Sequence, residues 1–178
     1  MDGDPAPARV TWWGHSTVWL EDSGVRLLTD PVLTNRVAHL RRRRGPTPRG
    51  VSAPDAVLVS HLHADHLHLP SLRRITPSAA LVVPAGAAAF LRRAAGAGFA
   101  DRCVELAAGE HVRIGAVTVH AVPAAHPTGR HHWSRRHATP VGYLVRGAAT
   151  TWFAGDTGLH DGMAELARAD GVAGASSA

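Results

Sequence analysis

Between Ser60 and His66 the chain reads Ser-His-Leu-His-Ala-Asp-His, placing three imidazoles and one carboxylate in six consecutive positions, 61 to 66. Neutral imidazole nitrogens and a carboxylate are the donors that borderline divalent cations take. Zinc suits them first, with manganese and iron(II) also compatible. Immediately upstream, Ala56-Val57-Leu58-Val59 has the length and β-branched character of a buried strand. At the end of that strand His61 and His63 are two residues apart and project to one side. The turn after Ala64 lets Asp65 and His66 approach from another direction. Pro70 then fits the first turn of a helix, where its missing N–H costs little. The pattern points to a strand end that holds one or two metal ions.

Three further segments flank this motif: Trp13-Gly14-His15-Ser16-Thr17, Leu28-Thr29-Asp30-Pro31 and Phe153-Ala154-Gly155-Asp156-Thr157. With the histidine motif they resemble the metallo-β-lactamase-fold hydrolases. The resemblance is to the branch containing ascorbate-6-phosphate lactonases and N-acyl-phosphatidylethanolamine-hydrolysing phospholipase D, and it runs from about residue 9 to about residue 168. It implies an α/β (α+β) fold, a four-layer αββα sandwich with metals at the sheet edges. It also implies that His61, His63 and a later histidine hold one metal. His126, in Val122-Pro123-Ala124-Ala125-His126, resembles that third ligand, with His120, His131, His132 and His137 as rivals. Asp65 and His66 would hold the second metal, and Asp156 would bridge the two. His15 and Asp30 are implied at the border of the pocket and behind a ligand histidine, so that Asp65, His15 and Asp30 form the catalytic set beside the metals.

The family usually adds one more histidine to the second metal from a segment beyond the last helix. No residue here matches it, and His160 lies too close to Asp156 to take the part. Family domains continue past the Gly-Asp-Thr motif, whereas this chain ends about twenty residues after it. The expectation is one domain over residues 1–178 that lacks the usual C-terminal elements, with a second metal site weaker than the first.

Two metals side by side lower the pKa of a shared water toward neutrality. The expected activity is hydrolysis of a phosphodiester or lactone-type ester in a small or lipid-like anionic substrate, with Asp65 handling the proton. A truncated, weakly active or non-catalytic metal-binding remnant of such a hydrolase is the alternative. A nucleic-acid module built on Arg41-Arg42-Arg43-Arg44 ranks lower, because only nine aromatics are present and none forms a stacking platform near that run. The formal charge is +5, and all 19 basic residues are arginine. A solvated loop in an arginine-biased chain accounts for the run. No segment approaches the roughly 20 apolar residues of a membrane span. The single cysteine, Cys103, and an acidic, Pro-rich N-terminus suggest a cytoplasmic protein.

The elements that must position these residues read as follows. Strands are expected over 10–13, 17–20, 25–29, 56–59 and 79–83, with a short helix at 72–75 and another at 86–95. A meander over 104–106, 112–114 and 117–122, a strand pair over 141–145 and 150–153, and a helix from Met163 complete the list. Residues 32–54 read as a long loop, and the tail from Gly171 as no packed element.

Overall fold

The computed structural model describes residues 7–51, 53–130, 137–170 and 175–176. Its first sheet is formed by β1 (Arg9–Trp12), β2 (Val18–Asp22), β3 (Val25–Thr29), β6 (Ala56–Leu58), β7 (Ala80–Pro84) and β8 (Cys103–Leu106), in that spatial order. Strands β1 to β3 form an antiparallel meander, and β3, β6, β7 and β8 run parallel. Between β3 and β6 a small hairpin, β4 (Arg36–Val37) with β5 (Leu40–Arg41), interrupts the segment that reads as a plain loop. The helices α1 (Leu69–Leu72), α2 (Ala87–Ala95) and α3 (Ala97–Ala100) fall in the crossovers between parallel strands.

The second sheet holds β9 (His111–Ile114), β10 (Val117–Pro123), β11 (Val141–Arg146) and β12 (Thr150–Phe153), joined by β13 (Ala175–Ser176). The helix α4 (Gly162–Asp170) follows β12.

Alternation along β6 explains why its sequence is apolar without a break. Val57 and Val59, with Leu28, Leu81 and Val83, bury against Leu67, Leu72, Phe90 and Leu91 from the crossover side. Ala56 and Leu58, with Leu27 and Val82, bury against Val119, Val141, Tyr143 and Phe153 of the second sheet. A parallel strand covered on both faces needs apolar side chains at every position. Helices, sheet and second sheet therefore stack in the order the resemblance implies.

Three expectations need correction. Cys103–Leu106 does not belong to the meander: β8 pairs parallel with β7 in the first sheet. Its short apolar pattern fits either sheet, and the α2–α3 crossover decides which. The short helix has Pro70 in its first turn as expected but ends at Leu72, so Ile75 lies outside it. In the tail, Ala175–Ser176 pairs parallel with Trp152 and Phe153. That pairing uses backbone groups of an otherwise open edge, and small residues give no propensity signal for it.

Two polar ties hold the sandwich at opposite ends. At one end the buried Asp22 carboxylate accepts from Ser23 Oγ (2.8 Å), Ala148 N (2.8 Å) and Ala149 N (3.2 Å), linking the β2–β3 turn to the β11–β12 turn. Near the other, the fully buried Tyr143 donates its hydroxyl across the core to Val59 O at 2.8 Å, one residue before the histidine motif begins. Burial raises the Tyr143 pKa, so the phenol stays a donor. Tyr143→Phe should therefore lower stability by about 1–2 kcal/mol. Thermal unfolding would show this as a melting temperature lower by a few degrees, and an unchanged midpoint would mean that the inter-sheet bond contributes nothing.

Candidate metal centre

The centre forms where parallel strands end, the usual place for ligands in such sheets. Asp30 follows β3 and adopts φ 31°, a left-handed conformation that Asp tolerates better than most residues. Its side chain is fully buried. Oδ1 accepts from Ser60 N at 2.7 Å, while Oδ2 accepts from Ser60 Oγ at 2.5 Å and faces His66 Nδ1 at 2.7 Å. Ser60 Oγ in turn lies 2.9 Å from His61 Nδ1. Because Ser60 gives its only hydroxyl proton to Asp30, His61 Nδ1 must carry the hydrogen toward Ser60. His61 and His66 are thereby fixed with Nδ1 occupied and Nε2 turned into the centre.

Three imidazole nitrogens converge there. His61 Nε2 lies 2.9 Å from His63 Nδ1, which lies 3.1 Å from His126 Nε2. His126 reaches the cluster because Ala125 N donates to Thr157 Oγ1 (2.9 Å) and Gly158 N donates to Ala125 O (2.9 Å), which lashes the β10 exit to the β12 exit.

A second group gathers alongside, with His15 Nε2 3.1 Å and His66 Nε2 3.8 Å from Asp65 Oδ2. Asp156 stands between the groups, its Oδ2 3.3 Å from His66 Nε2 and 4.0 Å from His126 Nε2. Gly155 makes that placement possible. It adopts φ 61°, and a Cβ there would lie 2.7 Å from the Cβ of Ser60, so only glycine fits between Asp156 and the motif strand.

The electrostatics match a metal-receiving centre. Burial, followed by the neighbouring His66, pushes His61 down to about 3, so it is a neutral donor at any physiological pH. Burial also lowers His63. The hydrogen bond from His15 holds Asp65 well below the usual carboxylate range, and His66 brings Asp156 down to about 2. Burial pushes the His66 pKa down, but Asp30 and Asp156 together outweigh it and raise it. His66 Nε2 is also a buried polar atom that no hydrogen bond satisfies. Its neighbours there are the carboxylates of Asp156 at 3.3 Å and Asp65 at 3.8 Å, so the position draws positive charge, a proton or a metal cation. A tetrahedral ion with bonds of roughly 2.0–2.2 Å sets its donors about 3.3–3.6 Å apart, close to the spacings in both groups. The residues fit a pair of divalent cations. Asp30, although close to His61 and His66, has both oxygens engaged by Ser60 and His66 Nδ1 and stands behind the ligands.

All of the residues singled out from sequence around the motif meet here: His15, Asp30, His61, His63, Asp65, His66, His126 and Asp156. Of the rival histidines, His120 stacks on His111 with ring centroids 5.0 Å apart, and His137 bonds Thr128. His131 and His132 lie outside the described residues. By its position after His126 in the chain, Arg130 reads as a binder of an anionic group or as a surface charge. Instead it donates to Leu62 O (2.7 Å) and Leu67 O (3.2 Å) and covers the Phe90 ring, clamping the motif loop. Ser71 was missed as well: its Oγ accepts from Leu33 N and pairs with His68 Nδ1, each at 2.7 Å. A buried serine just after Pro70 gave no signal of its own.

Two cavities meet at the centre. One, of about 580 Å³, is lined by His15, His126, Trp152, Asp156, Leu159 and Met163. The other, of about 370 Å³, lies under the β4–β5 hairpin and is lined by Trp12, His15 and Asp65 with Arg36, Arg41 and Arg44. The arginine run is therefore not simply a solvated loop. Arg42 donates to Trp13 O (2.8 Å) and Val32 O (3.1 Å), seating the hairpin on the Gly14 turn.

The profile described as "Beta-lactamase superfamily domain" matches residues 25–173. N-acyl-phosphatidylethanolamine-hydrolyzing phospholipase D 1 of Caenorhabditis elegans is 33% identical over 168 residues, covering 85% of this chain and 47% of its own. A metal-dependent hydrolase of Methanopyrus kandleri is 31% identical over 154 residues, covering 85% of this chain and 63% of its own. The solved structure of Igni18, titled a novel metallo hydrolase from the archaeon Ignicoccus hospitalis, superposes with a TM-score of 0.71 at 21% identity, over 94% of this chain and 69% of its own. At that identity the likeness is one of fold. The chain spans about half the length of the curated relatives with which it shares about a third of its residues.

Two outcomes follow from the geometry. Asp30→Asn removes the charge that orients His66 and, through Ser60, His61, without removing a ligand. Zinc affinity should fall by about 10–100-fold, as measured by competition with a chromophoric chelator. In the metal-free chain the carboxylates keep His66 protonated, so a cation at Nε2 must displace that proton. Affinity at that position should rise with pH by roughly tenfold per unit around neutrality. Calorimetry in buffers of different ionisation enthalpy should register proton release, and a pH-independent affinity would contradict the assignment.

Proposed function

The chain belongs to the beta-lactamase superfamily, and from that premise we propose that it is a metal-dependent hydrolase, zinc being the first candidate. It cleaves a phosphodiester or lactone-type ester in a small or lipid-like anionic molecule. One observation carries this reading: two donor groups, His61–His63–His126 and Asp65–His66, meet with Asp156 between them at the junction of two cavities. Divalent cations in such a setting supply Lewis acidity and a source of hydroxide near neutral pH.

The chain's own groups do the rest. His61, His63 and His126 would hold one cation through Nε2, Nδ1 and Nε2. Asp65 and His66 would hold the other, with Asp156 reaching both. Asp30, from behind, keeps the His61 and His66 rings in the productive tautomer. Asp65, which lines the arginine cavity, is placed to hold a proton during the reaction through the carboxylate oxygen not given to the cation. Arg36, Arg41 and Arg44 line the same cavity and would receive the substrate's anionic portion. Trp152, Leu159 and Met163 offer an apolar wall on the other side. The names of the relatives, a phospholipase D and a metal-dependent hydrolase, support the class of reaction. Among the described residues no helix is long and apolar enough to cross a membrane.

Bis-p-nitrophenyl phosphate provides the test. The metal-loaded chain should release p-nitrophenol, and chelation should stop it. Asp65→Asn, which keeps the shape but removes the charge, should lower the rate by about 10²–10⁴-fold. His61→Ala should lower the bound metal found by elemental analysis after dialysis. Full activity in Asp65→Asn, or unchanged metal in His61→Ala, would overturn the reading.

A further inference from the structure

Three histidines gather at the first metal position, and Asp65 with His66 at the second. From the sequence His15 reads as a residue at the pocket border. The structure sets it beside Asp65 and His66. His15 Nε2, Asp65 and His66 present donor atoms that all lie within 4.8 Å of one another. The His15 and His66 rings meet edge to face with centroids 4.7 Å apart. His15 Nε2 approaches Asp65 Oδ2 at 3.1 Å, against 3.8 Å for His66 Nε2. These two spacings bracket the roughly 3.3–3.6 Å between donors on a tetrahedral cation.

The backbone around His15 is built to aim that ring. Gly14 adopts φ 99° and His15 φ 51°, and a left-handed residue with a Cβ costs about 1–2 kcal/mol. The turn is held from three sides. Trp13 N donates to Thr17 O (2.9 Å) and Thr17 N to Gly14 O (3.2 Å). Trp12 Nε1 donates to His15 O at 2.7 Å, and Arg42 binds Trp13 O from the hairpin. Across the group, His66 Nε2 is buried with no hydrogen bond of its own.

We propose that His15 is a ligand of the second metal position, binding through Nε2 beside Asp65 and His66, with Asp156 shared between the two cations. The inference rests on the metal-dependent reading above and adds a donor to its second site from the N-terminal turn. The rival role is that of a positioning residue, in which His15 only steadies Asp65 by a hydrogen bond. Glutamine separates the two, because its amide can still donate to Asp65 but is a poor metal ligand.

The full chain, stripped by a chelator, is titrated with zinc against a chromophoric competitor. Wild type should take up two equivalents. His15→Gln and His15→Ala should both weaken the second by at least about tenfold and leave the first unchanged. In wild-type protein labelled with nitrogen-15 at histidine and loaded with a spin-active cadmium isotope, the His15 ring should show nitrogen–cadmium coupling, which requires no variant to fold. Unchanged second-site affinity in His15→Gln, or no coupling at His15, overturns this assignment and leaves the hydrolase reading standing. A wild-type chain that binds no metal ends both.

Discussion

The buried carboxylate of Asp30 is the constraint on which the rest of the site depends. It has no exposed surface, and it is satisfied by the backbone and hydroxyl of Ser60 and by the ring of His66. A buried charge is tolerable only when it is fully hydrogen-bonded. Satisfying it joins the ends of β3 and β6 and sets two imidazoles facing outward into the centre. Donor orientation is thus settled by the folding of the sheet and costs nothing further when a cation arrives.

The second sheet is brought to the same point by different means. Tyr143 bonds to Val59 O, and Gly155 lets the β12 exit approach Ser60 closely enough for Asp156 to stand between the two donor groups. Side chains longer than hydrogen at position 155 would push either Asp156 or the motif strand away. The Ala125–Thr157 and Gly158–Ala125 bonds then carry His126 in with Asp156 as one unit. Stability of the inter-sheet core and geometry of the metal centre are therefore coupled through a few backbone contacts.

Much of this was legible before the structure. The four-residue strand ahead of His61, the Asp-Pro corner at Asp30 and the Gly-Asp-Thr corner at Asp156 each join a local propensity to a donor type, so they could be placed at strand ends. What stayed hidden depends on partners remote in sequence. Cys103–Leu106 fits either sheet until the crossover helices choose one. Arg130 reads as a surface charge because its acceptors, Leu62 O and Leu67 O, lie more than sixty residues earlier. The Arg41–Arg44 run reads as solvated because nothing local says that Arg42 will dock on Trp13 O.

His15 shows the same limit most sharply. Its neighbours Gly14 and Ser16 mark a turn, and a turn histidine by itself suggests no ligand. Only the fold shows that the turn after β1 lies over the end of β6, with Asp65 and His66 beneath it. Because His15 lines both cavities, it also stands where an arginine-walled chamber meets an apolar one. A residue whose left-handed turn is fixed by three hydrogen-bonded anchors has little freedom to retreat. The N-terminal turn thus stands at the boundary between the two cavities that meet at the centre.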